Sequence, residues 1–464
     1  MTSKLIVNNI EADAGVSTIT FNSKVASSEF VGSVTGSVTG NVTGNVTGNL
    51  TGTASTATAA ATAYGLSGSP TLSGITSVST TNLTVNGNAY PSAGPLSNRN
   101  LLFNGEMMID QRGSASSPVT FINAVYGPDR WRSQISGSVT ATFGQSGVGT
   151  VTSDGSFQNS LLVTCTTSSI PSAGQHASVV QRLERTDVSN LGWGNSSAIP
   201  VTLSFYVRSS KTGTYSVSIL GGNGANYGYV FEYTIFSANT WQKVTKTITG
   251  PTIGTWTPGT GTGLFLAFIL NNGGSGSAGT LATLDTWTAG NYYAGSPNNV
   301  NFFDTNGATF YITGVQLERG EVATPFEHRS YGDELARCQR YFQGYNAADA
   351  TARAAISYDN YDTEAATDLQ GTTLLGVGTV VDADNCRIVA SFPVAMRTRP
   401  TVTGSDLRAI TGLTLHNTTT TVQDNQSSIY GLSLLIDNNS SMTAGDCAHL
   451  IIKGNGNFFF SAEL

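Results

Sequence analysis

The sequence predicts a mainly β protein in successive parts: an N-terminal segment, an uncharged fibrous β shaft, a jelly-roll β-sandwich, one short helix and a C-terminal β-rich tip. Three observations carry this. From Val31 to Asn98 there is no Asp, Glu, Lys, Arg or His, and within that span one tetrapeptide runs five times, SVTG, SVTG, NVTG, NVTG, NLTG, over residues 33–52. Between residues 96 and 330 lie all five tryptophans and several runs in which apolar and polar residues alternate, the period of a half-buried strand. One segment alone, residues 330–343, has a convincing helical period.

Residues 1–30 open with mixed charges and two strand-like runs, LIVNN and STITF, and are read as an attachment region. No signal-peptide core precedes them, so a Sec-secreted adhesin is not expected. The shaft, residues 31–95, follows from the parity of its repeat. In an extended strand a period of four puts Val34, Val38, Val42, Val46 and Leu50 on one face with the tetrad glycines, and Ser, Asn and Thr on the other. One strand cannot bury that apolar face or satisfy its own backbone groups, and the economical partner is another copy of the same segment. Fully extended, the repeat would reach roughly 65 Å at about 3.3 Å per residue. A flexible linker is the alternative reading of the composition, but it has no use for so much β-branched Val and Thr. An Ala/Thr run at 53–63 and two short strand signals, ITSVST and NLTVNG, lead to Pro91 and Pro95.

The sandwich, residues 96–330, is clearest in VTLSFYVR, where Val201, Leu203, Phe205 and Val207 alternate with Thr202, Ser204, Tyr206 and Arg208. TYSVSI repeats the pattern, and GGNGAN before YVFEYTIF is a turn cluster suited to a hairpin. The helix, residues 331–343, starts from Ser330, whose hydroxyl is three residues from Asp333. Leu335, Cys338 and Phe342 then fall on one face, and Asp333 can pair with Arg337. This stripe is read as packing, and the helix as a separator between sandwich and tip. Residues 344–464 form the tip, β-rich and without tryptophan.

Composition excludes several function classes. Charged residues are 11% of the 464, against about 25% in an ordinary domain. A net charge of −7 with no basic run gives nothing to neutralise phosphates, so no nucleic-acid partner is expected. The longest apolar run, Leu264 to Leu270, is too short to span a bilayer, and no membrane insertion is expected. Cys165, Cys338, Cys386 and Cys447 have no metal-ligand spacing and read as small buried residues of a reducing compartment. The sequons at Asn41, Asn45, Asn49, Asn82 and Asn195 are not taken as glycan sites. There is no GxSxG, Walker or HExxH motif, and GTGTG at 259–263 precedes a strand-like run where a dinucleotide loop needs a helix. YDNYDTEAATD has acids but no EF-hand glycine, and His176, His328, His416 and His449 are scattered. No cofactor or metal is assigned.

Family resemblance enters through longer motifs. NLLFNGEMMIDQRG (100–113), YGPDRW (126–131) and ITGVQLERGEVATPFEHRSYGDELARCQRYF (312–342) resemble the receptor-binding portion of bacteriophage tail fibres. KLIVNNI and the VTG tetrads resemble fibre shafts of marine phages, especially those infecting cyanobacteria. YVRSSKTGTYSVSIL and SANTWQKVTKTITG are similar to jelly-roll carbohydrate-binding modules, and in that pattern Trp241 serves the fold. FPVAMRTRPTVTG and GNFFFSAEL are similar to distal fibre domains.

The resemblance implies a homotrimeric virion protein, made in the host cytoplasm. It would dock to a tail adaptor, nozzle or baseplate protein through residues 1–30 and bind host polysaccharide or lipopolysaccharide through its C-terminal domains. Within the tip, Tyr345, Tyr358, Tyr361 and Tyr430 are candidate stacking faces for sugars, and Asp359, Asp362, Asp368 and Asp382 candidate acceptors for their hydroxyls. No enzymatic activity is expected. The alternatives are a tailspike depolymerase, for which Asp187, Glu232, Asp285 and Asp304 are candidate carboxylates without a distinguishing spacing, and a head fibre or decoration protein.

Overall fold

A computed structural model describes residues 83–85, 88–90 and 98–464. The last range is described without 149–156, 170–171, 173–174, 223–226, 257–258, 273–282, 291–294, 347–372, 412–413, 418–420, 425–426 and 438–441. The attachment region and most of the shaft therefore lie outside the described residues. From the shaft come only β1 (Leu83–Val85) and β2 (Asn88–Tyr90), an antiparallel pair in which Val85 faces Asn88. The first of them coincides with the NLTVNG strand signal.

Twelve strands build the sandwich: β3 (Val119–Thr120), β4 (Arg132–Ser136), β5 (Thr140–Gly147), β6 (Asn159–Thr167), β7 (His176–Glu184), β8 (Val201–Ser209), β9 (Gly213–Gly221), β10 (Tyr227–Ile235), β11 (Gln242–Ile248), β12 (Thr262–Asn272), β13 (Thr288–Ala289) and β14 (Thr309–Arg319). They form two six-stranded antiparallel sheets, ordered β13-β10-β9-β12-β7-β4 and β11-β8-β14-β6-β5-β3. The alternation read in the sequence sets the packing. Val201, Leu203, Phe205 and Val207 of β8 point inward with Tyr215, Val217 and Ile219 of β9, and all are fully buried in one core with Trp131, Phe268 and Phe310. Burying each large apolar side chain of this kind stabilises the fold by about 1.5–3 kcal/mol.

Two glycines make the closing motif possible. Gly314, at φ +58°, lies at the register shift of β14 against β8, and a Cβ there would stand 2.5 Å from the Phe157 ring. At Gly105 a Cβ would stand 2.2 Å from the Val315 carbonyl oxygen, so that the two backbones touch only because glycine is present.

The helix (Tyr331–Gln339) starts as the sequence predicts, with the Asp333 amide donating to Ser330 Oγ at 3.2 Å. Replacing Ser330 by Ala should cost about 1 kcal/mol of stability, measurable by urea denaturation. The rest of the helix differs from expectation. It stops at Gln339, and Phe342, expected on its apolar face, instead opens strand β15 (Phe342–Asn346) opposite Ser461. Arg337 donates to Asn98 Oδ1 at 2.7 Å. The physical reason is burial: Tyr341 and Phe342 are both drawn into the interior, which an exposed helix end cannot do for consecutive residues.

The tip adds β16 (Thr373–Val380), β17 (Asn385–Ser391), β18 (Thr401–Thr411), β19 (Thr414–Asn417), β20 (Thr421–Asp424), β21 (Gly431–Asp437) and β22 (Cys447–Ser461). Together with β15 they make an eight-stranded sheet ordered β19-β18-β22-β16-β17-β21-β20, and β15 also pairs with β22. Its own core gathers Ile388, Met396, Leu434, Ile436, Phe458 and Phe460.

Sandwich and tip are tied directly, so the helix is not a spacer between them. Glu184, at the end of β7, accepts from Arg340 Nε at 2.9 Å and Nη2 at 3.1 Å and from the Tyr341 hydroxyl at 2.6 Å. Glu463 pairs with Arg130 and, at 3.0 Å, with Arg112, while the Arg130 guanidinium lies 3.5 Å from the Tyr341 ring centroid. Arg397 donates to the carbonyls of Thr260, Ala462 and Glu463. Residues of the segments 100–113, 126–131 and 312–342 converge on this joint. Asn104 accepts from the Ile109 amide and donates to the Ile109 and Asp129 carbonyls, its own carbonyl accepts from Trp131 Nε1, and its amide donates to Glu334. Their identity is therefore explained by satisfying buried polar groups.

Candidate functional site

The tryptophan-rich end of the sandwich is closed. Trp193, Trp256 and Trp287 pack edge to face at centroid distances of 4.9, 5.3 and 5.9 Å. Their indole N–H groups donate to the carbonyls of Ile199, Ile253 and Thr249, and the adjacent cavity is about 10 Å³. A cavity of that size holds no more than a water, so this cluster serves the fold.

A larger cleft, about 690 Å³, opens between the helix and residues 394–395. Its cations are engaged: Arg329 with Glu327 and Glu334, Arg340 with Glu184, and Arg337 with Asn98.

The outer face of the β8-β14-β6 region is different. Because β8 turns Val207 inward, Arg208 points outward, directly opposite Tyr311 of β14, which in turn faces Leu162 of β6. All three are half-buried. The Arg208 guanidinium carbon lies 4.9 Å from the Tyr311 ring centroid. Trp241 flanks the same tyrosine, with centroids 6.1 Å apart and planes at 64°, and is anchored by its indole N–H donating to the Val148 carbonyl at 3.3 Å. One strand further, Lys243 sits 5.5 Å from the Tyr206 ring centroid. Trp241 also packs against the small cluster of Val148, Phe157 and Tyr206. The expectation that it is a core residue and not a sugar platform holds only in part: it packs, but it is half-buried and leaves part of its surface exposed.

Chemically this face offers half-exposed aromatic rings beside guanidinium and ammonium donors, which can stack on the C–H faces of a sugar ring and donate to its oxygens. Neither Arg208 nor Tyr311 was singled out in the sequence. The signal was present in the outward set of VTLSFYVR, which ends in Tyr206 and Arg208, but nothing in the chain's linear order brings Tyr311 beside them.

The candidates in the tip are placed as follows. Tyr345 is half-buried on β15 and meets Phe460 edge-on at 6.1 Å, and burial raises its pKa. Tyr430 is 69% exposed in the turn before β21. Asp382 accepts from the Asp384 and Asn385 amides and from Asn385 Nδ2, bonds that hold its carboxyl below the usual range. Tyr358, Asp359, Tyr361, Asp362 and Asp368 lie outside the described residues.

The four carboxylates considered for hydrolysis have separate partners. Asp187 accepts from the Glu184 amide and is pushed up to about 6 by burial. Glu232 bonds Ser296 and Asn298, Asp285 bonds Lys246 and Tyr229, and Asp304 bonds Lys211 and Thr305. Among the described residues no two of these acids share a hydrogen-bond partner, and no group of His, Cys, Asp or Glu is arranged to hold a metal. No helix among the described residues is long and apolar enough to cross a membrane.

No family model matches the chain, and no curated protein matches it. Among solved structures, the enzymatically active domain of bacteriophage CBA120 tailspike protein 4 is 17% identical. The match covers 50% of this chain and 24% of that one, with a TM-score of 0.25. A family 11 carbohydrate-binding module from Clostridium thermocellum, in complex with a β-1,3-1,4-mixed-linked tetrasaccharide, is 12% identical over 45% of this chain and 98% of that one, with a TM-score of 0.22. TmCBM61, in complex with β-1,4-galactotriose, is 13% identical over 48% and 99%, with a TM-score of 0.22. Likeness of this size assigns neither a ligand nor an activity to the chain.

Proposed function

We propose that this chain is a subunit of a phage fibre: it docks by residues 1–30, gains reach through residues 31–95, assembles as a homotrimer and binds host-surface glycan without cleaving it. The observation that carries the binding role is the outward Arg208, Tyr311 and Trp241 constellation, rings and donors held together on a rigid sheet. The uncharged tetrad shaft supports the fibre role, since its Val/Gly face needs copies of itself. Several shallow sites on one fibre would raise avidity without new contacts. Exposed Tyr430 keeps the tip as a second candidate surface.

The test is full-length protein on an array of bacterial surface oligosaccharides, with released reducing ends assayed in parallel. Saturable binding without release is expected. Trp241→Ala should weaken it about tenfold, equivalent to about 1.4 kcal/mol, with the thermal midpoint checked alongside because Trp241 also packs. Release of reducing ends would replace this reading with a depolymerase.

A further inference from the structure

We propose that the glycan taken by the Arg208 face is acidic, a saccharide bearing an anionic substituent that Arg208 binds while Tyr311 and Trp241 flank its ring. The inference rests on the reading of this face as a glycan site and narrows its ligand class.

Four observations point to an anion. Arg208 has no ion-pair partner among the described residues, whereas Arg112, Arg130, Arg329 and Arg340 each hold a carboxylate. Its side chain is half-buried against Tyr311, 4.9 Å from the ring centroid, which holds the guanidinium at the sheet face.

Next, the adjacent cation, Lys243, lies exposed over Tyr206 and likewise has no carboxylate partner among the described residues. On the same strand Lys246 is consumed by Asp285 at 2.7 Å. Finally, the whole chain carries a net charge of −7, so two uncompensated cations beside one another run against its overall balance. A guanidinium fork matches two oxygens of a carboxylate or of a sulfate in one plane, and stacking on Tyr311 fixes its orientation in advance.

Neutral sugars offer the half-buried guanidinium only hydroxyl acceptors. An anionic group satisfies it with a charge-assisted bond, and that difference is the basis of selectivity.

The experiment measures binding of full-length protein to three immobilised probes of similar length: an oligogalacturonate, a sulfated dextran oligomer and a neutral dextran oligomer. Each is run at about 0.05 and 0.3 M NaCl, which bracket strong and weak screening. The expected result is at least tenfold tighter binding of an anionic probe than of the neutral one. Arg208→Gln should remove that advantage, weakening anionic binding at least tenfold more than neutral binding, with the thermal midpoint measured alongside to separate loss of the donor from loss of the Arg208–Tyr311 contact. Arg208→Lys should recover only part, since a point charge lacks the fork. Comparison of the carboxylated and sulfated arms identifies which anion is preferred.

Neutral binding equal to anionic, and sensitive to Trp241→Ala, would overturn the acidic ligand while leaving the glycan face intact. Anionic binding unaffected by Arg208→Gln would overturn the assignment to this face. Absence of binding to all three probes together with a blank oligosaccharide array would overturn both.

Discussion

Replacing Glu184 by Ala is expected to lower the unfolding free energy by about 3 kcal/mol, the cost of removing one partner from a buried pair. Glu184 is 1% exposed and satisfies three donors at once, two from Arg340 and one from Tyr341. Arg340 is partly exposed and can return to water, which keeps the effect at the lower end of the range for buried pairs. The Tyr341 hydroxyl cannot: the residue is buried, and burial raises its pKa well above that of a free phenol. Glu184→Gln should cost about half as much, because the amide oxygen still accepts from Tyr341 while the charge is lost. Because these bonds join β7 of the sandwich to the two residues that lead from the helix into β15, calorimetry should also show the sandwich and the tip unfolding less cooperatively in Glu184→Ala. An unchanged midpoint and a single unchanged transition would mean that desolvation already cancels what the bonds contribute.

Stability should fall between about pH 4 and pH 7 through Asp129. Complete burial of this carboxyl pushes its pKa up to about 7, against opposition from Arg112 and from the Gln111 side chain and amide, with Glu463 adding to the rise. In the unfolded chain the group ionises near the ordinary carboxylate value of 3.8. Between the two values the folded protein holds a proton that the unfolded chain has released, so stability declines as pH rises through this window and levels off above it. Over a pH range of about 4.5 to 7.5 the linked change is on the order of 3 kcal/mol. Asp129→Asn removes this component, and urea denaturation of both proteins at the two pH values reads it as a difference of differences. If that difference does not move with pH, the Arg112 pair outweighs burial and the carboxyl titrates in its ordinary range.

Much of the architecture was legible because the relevant physics is local. The parity of side chains along a strand put Leu203 and Phe205 inside and Arg208 outside before any partner strand was known. The capping pattern of Ser330 and Asp333 fixed where the helix begins. Its end was not legible, since Tyr341 and Phe342 leave the helix to be buried by residues more than a hundred positions away, Glu184 and Phe459 among them. The joint was hidden for the same reason. NLLFNGEMMIDQRG and YGPDRW stood out as segments, but not as the partners of Glu334 and Glu463.

The candidate site divides in the same way. Sequence alone determined a mainly β chain with an uncharged repeat segment, an alternating sandwich and the capped start of the helix at Ser330, because composition and period act within a few residues of themselves. Only the tertiary structure decided that Arg208, Tyr311 and Trp241 share one outward face, that Tyr345 packs against Phe460, and that the tip is held to the sandwich by buried charges. Those outcomes depend on strand register and on which carboxylates lose their water, and both are set by contacts between segments far apart in the chain.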